Sequence, residues 1–397
     1  MSRLDTLIDR LIVESERQVL WARKFEKKRY LFDEIKNLIA RSENEYYVGI
    51  KGLRGVGKTV LMLQLMRDIE RSIYFSADSL LAREFSIYEI VRGLIKRDFK
   101  TIFIDEIHSR PRWDVDLKSL YDEHHDVMIV FTGSSAMDIT KTGADLSRRV
   151  VMKELRIVSF REYLNIRRGL DIPPLSFEVI LREKERLTRQ YALCYDFFDE
   201  YTRYGGVLYP KEVFHEELDN ALRKVVVHDL IALREINVEY DYNASRLLHL
   251  VAHSPPFEVN YSSLSRDLGV TKPMAIKMVN ELATAGLLIP IFPCQNRDRN
   301  IRKEPKIYLT IPIREYLAGE TDITGVLREE FFVNHVRDVC YVKGERGEKT
   351  PDFRCGDKTI EIGGAKKKGY QGADYIAVDG LSMDGNKIPL FLFGFAY

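Results

Sequence analysis

Residues 46–59 read YYVGIKGLRGVGKT. A short apolar strand over 46–50 runs into Gly52-Leu53-Arg54-Gly55-Val56-Gly57-Lys58-Thr59, and the segment VLMLQLMRDIE that follows has helical spacing. Strand, glycine-rich loop and helix in this order are the setting of a phosphate-binding loop, and the pattern G-x-x-x-x-G-K-[ST] is complete. The residue types follow from the chemistry. Glycines let consecutive backbone N–H groups turn inward around phosphate oxygens, and the positive end of the helix dipole adds to them. Gly52, Gly55, Val56 and Gly57 form the cradle, Lys58 reaches the β- and γ-phosphates, and Thr59 offers its hydroxyl to Mg²⁺. ATP with Mg²⁺ is the pair this predicts. The competing reading is a plain glycine turn before a helix, which the full pattern in its context outweighs.

Downstream, KTIFIDEIH (100–108) reads as a second buried strand ending in Asp105 and Glu106. Unbroken apolar and β-branched residues suit a parallel strand covered on both faces. Ligands of open α/β sheets bind at the carboxyl ends of the strands. Asp105 is therefore the expected holder of Mg²⁺, through water, and Glu106 the residue that orients the attacking water. His108 reads as an ordinary loop histidine. A third strand, VMIVFTGSS (127–135), ends in Thr132, Ser134 and Ser135. These can sense the γ-phosphate if the strand lies between the two sites, although a helix cap explains them nearly as well. SIYFSAD (72–78) supplies another strand, and 86–97 and 112–124 have helical spacing. This alternation predicts an α/β fold with a parallel sheet and helices on both faces.

The chain has 397 residues, more than one ordinary core accommodates, so roughly two to four domains are expected. Its 45% hydrophobic and 30% charged residues are the balance of a globular rather than a disordered chain. Net charge is +1, so any nucleic-acid surface must be a local patch. Cys194, Cys294, Cys340 and Cys355 lie far apart with no CxxC pair, and signal neither a zinc site nor a disulfide framework. The opening MSRLDTLIDRLIVESERQ alternates charged and apolar residues, unlike a signal peptide. No stretch approaches the roughly 18 uninterrupted apolar residues of a membrane helix. A cytoplasmic protein without a membrane partner is expected.

GLRGVGKT, FIDEIH, FTGSS, DLSRRVV, SFREYL, RYGG, GVLREEFF, EIGG and IPLFLFGF follow one another from about residue 30 to the end. In this the chain resembles the AAA+-like ATPases of bacteria and archaea that carry an AAA domain, a winged helix and a C-terminal endonuclease-like region. The phosphate loop is shared by many ATPases, whereas the order SRRVV, SFREYL, LREEFF, EIGG is more specific. The resemblance implies a RecA/AAA-type P-loop core with a helical lid, ATP as ligand and association with DNA. In such enzymes an arginine near Arg148 and Arg149 reaches the γ-phosphate of a neighbouring subunit, which implies a homo-oligomer. An arginine pair facing solvent is the competing reading. The expected organisation is an N-terminal helical segment (1–44), the ATPase core (45–158), a helical lid (159–235), a winged helix (236–315) and an α/β endonuclease-like domain (324–397).

Within 244–312 the rhythm is helix–turn–helix. One helix over 262–268 is stopped by Gly269; a second, capped by Thr271, runs from Lys272 to Ala285 and is stopped by Gly286. Two short strands then flank the basic turn QNRDRNIRKEPK, a wing at about 295–306. Lys272 and Lys277 are placed to meet base edges or phosphates. Arg297, Arg299, Arg302, Lys303 and Lys306 are placed to neutralise phosphates. A packing module that never meets DNA is the alternative.

The C-terminal segment reads as a helix, GVLREEFFVNHVRD, then antiparallel strands in CYVKGERG and PDFRCGDKTIEIGG, with further strands in ADYIAVDG and IPLFLFGFAY. Glu329, Asp352 and Glu361 correspond to the acids that hold Mg²⁺ beside the scissile phosphate in PD-(D/E)xK nucleases, and mark a possible second metal site here. Those enzymes place a lysine two residues after the last acid, and here that position is Gly363. Lys366, Lys367 and Lys368 follow closely enough to reach back. The missing lysine favours a module kept for packing or DNA contact over a working nuclease. The favoured reading is thus a DNA-associated, ATP-hydrolysing switch or motor. An ATP-regulated nuclease and a protein-interaction ATPase without DNA are the alternatives.

Overall fold

The computed structural model describes residues 2–41, 45–134, 146–226, 238–294, 304–319, 323–344, 348–367 and 372–397. The chain divides into two compact units, Met1–Arg156 and Ile157–Tyr397.

In the first unit β1 (Tyr47–Lys51), β2 (Ser72–Ser76), β3 (Thr101–Asp105), β4 (Met128–Gly133) and β5 (Val150–Glu154) form one sheet, in the order β2-β3-β4-β1-β5. Every neighbouring pair is parallel. β3 and β4 are buried along their whole length, which is why their sequences run apolar without alternation. The order puts β4 between the strand that feeds the phosphate loop and the strand that carries the acidic pair. Helices α1 (Arg3–Ala22), α2 (Phe32–Arg41), α3 (Lys58–Arg67), α4 (Ile87–Ile95) and α5 (Trp113–Glu123) complete the unit. α1 starts on a capping box in which the Ser2 hydroxyl accepts from Asp5 N at 3.1 Å. It buries Leu7, Ile8 and Leu11 in one core with Ile73, Ile90 and Leu94. The N-terminal helix is therefore part of this unit's core.

The second unit opens with α6 (Phe160–Arg168), α7 (Phe177–Arg182), α8 (Lys184–Tyr191), α9 (Phe198–Tyr204) and α10 (Phe214–Lys224). α11 (Val238–Ala252), α12 (Tyr261–Leu268) and α13 (Lys272–Thr284) lead into an antiparallel pair, β6 (Leu288–Ile291) and β7 (Lys306–Leu309). After α14 (Ile313–Ala318) and α15 (Thr324–His335) comes a second sheet. It is made of β8 (Val339–Tyr341), β9 (Phe353–Cys355), β10 (Lys358–Gly364), β11 (Tyr375–Asp379) and β12 (Lys387–Pro389). The order is β12-β11-β10-β9-β8, antiparallel from β8 to β10 and parallel from β10 to β12.

Two expectations are corrected here. IPLFLFGF is not mainly a strand: β12 ends at Pro389, and Leu390–Phe395 form a 3-10 helix whose residues are all fully buried. An unbroken apolar run has no period that separates a buried strand from a buried helix. Its rings close a core with α6, α9 and α15, the Phe160–Phe395 and Phe198–Phe331 centroids lying 5.9 and 4.7 Å apart. Cys294 and Cys340 form a disulfide, which the scattered cysteines did not signal. They are 46 residues apart in sequence, and the fold alone brings them together. Tyr341 N donates to Phe292 O at 3.0 Å and Cys294 N to Tyr341 O at 2.9 Å, fastening the end of β6 to β8. Among the described residues no helix is long and apolar enough to cross a membrane.

Candidate functional site

Lys58 is the first residue of α3, and Gly57 caps it with φ +93°, a conformation that favours glycine. This turn curls the loop so that Lys58 Nζ donates to the carbonyls of Gly52 (2.8 Å) and Leu53 (3.1 Å). Lys58, 6% exposed, therefore lies buried with its ammonium inside the loop. Thr59 Oγ1 donates to Asp105 Oδ2 at 2.6 Å, joining the loop to the end of β3. Asp105 also accepts from Tyr74 OH at 2.9 Å and from Thr132 Oγ1. Burial, then the charge of Asp105, pushes the Tyr74 phenol well above its ordinary value, so it remains a donor. A buried carboxylate beside a threonine hydroxyl is a hard-oxygen donor set, the kind that suits Mg²⁺ and its bound water.

Glu106 follows with left-handed backbone, φ +50° and ψ 43°. Its N–H donates to Thr132 Oγ1 at 2.9 Å and to Asp105 Oδ1 at 3.2 Å. Its Oε2 lies 3.5 Å from Arg54 Nη2 and 3.5 Å from His108 Nε2. Ser134 N donates to His108 Nδ1 at 3.3 Å. Thr132 and Ser134 thus occupy the gap between loop and acidic pair, because β4 is the strand in between. Ser135 lies outside the described residues. Sequence reasoning missed Arg29, which is 5% exposed. It donates from Nη1 to Val56 O and from Nη2 to Arg156 O at 2.9 Å, bracing the loop's backbone. Nothing near Arg29 in the sequence announces this contact.

Arg148 and Arg149 stand at the other end of the sheet. Val150 pairs with Tyr47, the first residue of β1, whereas the phosphate loop leaves β1 after its fifth residue. At about 3.3 Å per residue the two ends are roughly 16 Å apart. Arg149 pairs with Asp122 at 3.0 Å and lies over the Tyr121 ring. Arg148 is exposed. Neither is placed to reach the phosphate loop of its own chain.

In the second unit Glu329, Asp352 and Glu361 converge from α15, the start of β9 and β10. Tyr308 OH donates to Glu329 Oε2 at 2.9 Å, and Ile362 N donates to Asp352 Oδ2 at 2.7 Å. Burial, reinforced by the charge of Asp352, pushes Glu329 up to about 7, against the pull of Tyr308 and Lys306. Burial likewise raises Asp352 and Glu361. Of the lysines expected to be close enough to reach back, Lys367 does so. Lys367 Nζ lies 2.5 Å from Glu361 Oε1. Its stem crosses Gly363, where an added Cβ would meet Lys367 Cβ and Cγ at 2.7 Å. Residue 363 is thus the space through which the Lys367 stem passes. Lys366 is exposed, and Lys368 lies outside the described residues. Glu361, 1% exposed, keeps Oε2 without a hydrogen-bond partner among the described residues. Among those residues no three His, Cys, Asp or Glu side chains gather closely enough to hold a metal unaided. The neighbouring Glu330 serves the fold instead, paired with fully buried Arg314 at 2.8 Å.

On α13, Thr271 caps the helix and Lys272 and Lys277 are exposed, while Met278 and Val279 are buried. Arg297, Arg299, Arg302 and Lys303 lie outside the described residues. Lys306 opens β7 and acts electrostatically on Glu329 and Asp352.

Comparison with known proteins agrees with this geometry at the level of the first unit. An uncharacterized protein of Methanocaldococcus jannaschii, MJ1637, is 29% identical over 384 residues, covering 89% of this chain and 78% of that protein. A second from the same organism, MJ1544, is 27% identical over 209 residues, or 48% of this chain and 44% of that protein. Residues 44–164, which hold the phosphate loop, the acidic pair and both arginines, match the family model of an AAA domain, so over this stretch the chain is similar to the AAA-type P-loop ATPases.

Proposed function

We propose that the chain is an AAA-type ATPase that hydrolyses ATP with Mg²⁺ and works as a DNA-associated switch or motor. The observation that carries the reading is the 2.6 Å contact between Thr59 and Asp105. It joins phosphate loop and acidic strand in one site, with Lys58 buried beside it. In this reading Lys58 neutralises the β- and γ-phosphates, and Glu106 orients the water that attacks the γ-phosphorus. Thr59 directly, and Asp105 through water, would hold Mg²⁺, which supplies charge neutralisation on the phosphate oxygens. Arg148 acts on the γ-phosphate of a neighbouring subunit, an assignment supported by its exposure at the far end of the sheet. The exposed Lys272 and Lys277 support contact with DNA phosphates, through a winged helix built on α11–α13 and the β6–β7 pair. The test is phosphate release with and without DNA. Lys58→Ala should abolish ATP binding, and Glu106→Gln should retain ATP but stop turnover. Parent turnover in Glu106→Gln would refute its role.

A second reading is favoured by one observation. With Lys367 crossing Gly363 to Glu361, the acids of an endonuclease-like domain regain an ammonium. Glu329, Asp352 and Glu361 do not gather closely enough to hold a metal by themselves; in this reading they would hold a divalent cation together with an oxygen of the phosphodiester it polarises, and Lys367 would orient the attacking water. Plasmid incubated with protein, Mg²⁺ or Mn²⁺ and ATP tests this. Nicking lost in both Asp352→Ala and Lys367→Ala supports it, and intact plasmid with the parent protein rules it out.

A further inference from the structure

We infer that His108 is a positioning residue for Glu106, and that β4 fixes the glutamate at both ends. The inference rests on the ATPase reading above. Two residues of one strand end, Thr132 and Ser134, point toward the acidic pair. Thr132 accepts the Glu106 N–H at 2.9 Å, fixing the backbone. Ser134 N donates to His108 Nδ1 at 3.3 Å. A ring nitrogen that accepts an N–H carries no proton, so the proton of the neutral imidazole is on Nε2. That nitrogen faces Glu106 Oε2 at 3.5 Å. The chain Ser134 N–H, imidazole, carboxylate therefore ties the side-chain end of Glu106 to the same strand that ties its backbone. Arg54 meets the same oxygen from the loop side at 3.5 Å, so the carboxylate is held laterally from two directions. His108 and Glu106 side chains are 16% and 20% exposed, enclosed enough for this geometry to persist and open enough for water to enter. The left-handed backbone of Glu106 gives the arrangement its direction. It turns the chain sharply out of β3, so that residue 108 returns to the end of β4.

The bland alternative is that His108 merely packs the turn after β3. Kinetics on five variants separate the two. His108→Ala should lower kcat about tenfold or more while KM for ATP stays within about twofold, since misplacement of a reacting group acts on turnover and not on nucleotide binding. His108→Gln, which can keep a donor toward Glu106, should recover most of the loss. His108→Asn, which keeps only an acceptor toward Ser134, should not. In a Glu106→Gln background, His108→Ala should produce no further loss, measured by single-turnover release of labelled phosphate. Trp113 fluorescence reports whether each variant is folded. Parent kcat in His108→Ala overturns the inference, as does an equal fold-loss with and without Glu106→Gln. Parent turnover in Glu106→Gln itself would instead sink the ATPase role of Glu106, a separate and recognisable failure.

Discussion

Glu329→Gln should stabilise the second unit at alkaline pH and leave it unchanged in acid. Burial and the charge of Asp352 move Glu329 from an ordinary 4.5 to about 7. A group raised in this way binds its proton more tightly folded than unfolded. Its contribution is fully present below pH 4.5 and is lost as pH rises through 7. At about 1.4 kcal/mol per pH unit, ionised Glu329 costs the folded state roughly 3 kcal/mol at pH 8. Glutamine never ionises and can still accept from Tyr308. The variant should thus match the parent at about pH 4 and exceed it by roughly 3 kcal/mol at pH 8, or about 6–12 °C in melting temperature for a unit of this size. The chain has two tryptophans, Trp21 and Trp113, both in the first unit. Their fluorescence serves as an internal control, while hydrogen exchange in α15 follows the unit being perturbed. A variant destabilised at pH 8, or gaining equally at both pH values, would show that burial does not govern this carboxyl.

Thr132→Val keeps the shape of a fully buried residue but removes the hydroxyl that donates to Asp105 and accepts from Glu106 N. It should cost about 1–3 kcal/mol in urea unfolding followed by tryptophan fluorescence, and lower ATP turnover with binding retained. Arg148→Ala and Lys58→Ala should each be inactive alone yet recover turnover when mixed, because one binds ATP and the other supplies the arginine; no recovery refutes action between subunits. Reductant should lower the unfolding free energy of the second unit by up to about 4 kcal/mol, the chain-entropy value for a closed loop of 46 residues, without moving the tryptophan signal.

The phosphate loop was legible because its chemistry is local: eight consecutive residues dictate loop, helix start and charge. Asp105 and Glu106 were legible because they end a strand of fully buried type. What joins them was not. That β4 inserts between β1 and β3 is a matter of sheet order, which no local pattern carries, so a helix cap explained Thr132 and Ser134 nearly as well. His108 looked like a loop residue for the same reason, and Arg29 reaches Val56 across 27 positions. Glu329 and Glu330 are adjacent and chemically alike, yet one enters the acid cluster and the other neutralises buried Arg314. Helical phase sorts them, and only packing reveals the phase that matters. The disulfide escaped because it joins the segment just after β6 to β8, a strand of another sheet.

Gly363 and Lys367 compete for one volume, so substitutions at these positions cannot be independent. A lineage that gained a lysine at 363 first would drive its stem into that of Lys367. One that lost Lys367 first would leave the buried Glu361 without its ammonium. Either single step passes through a worse protein, and only the paired exchange connects the two arrangements. The two positions are therefore coupled, and homologous sequences should carry glycine at 363 with lysine at 367, or lysine at 363 without lysine at 367, far more often than any mixture of the two.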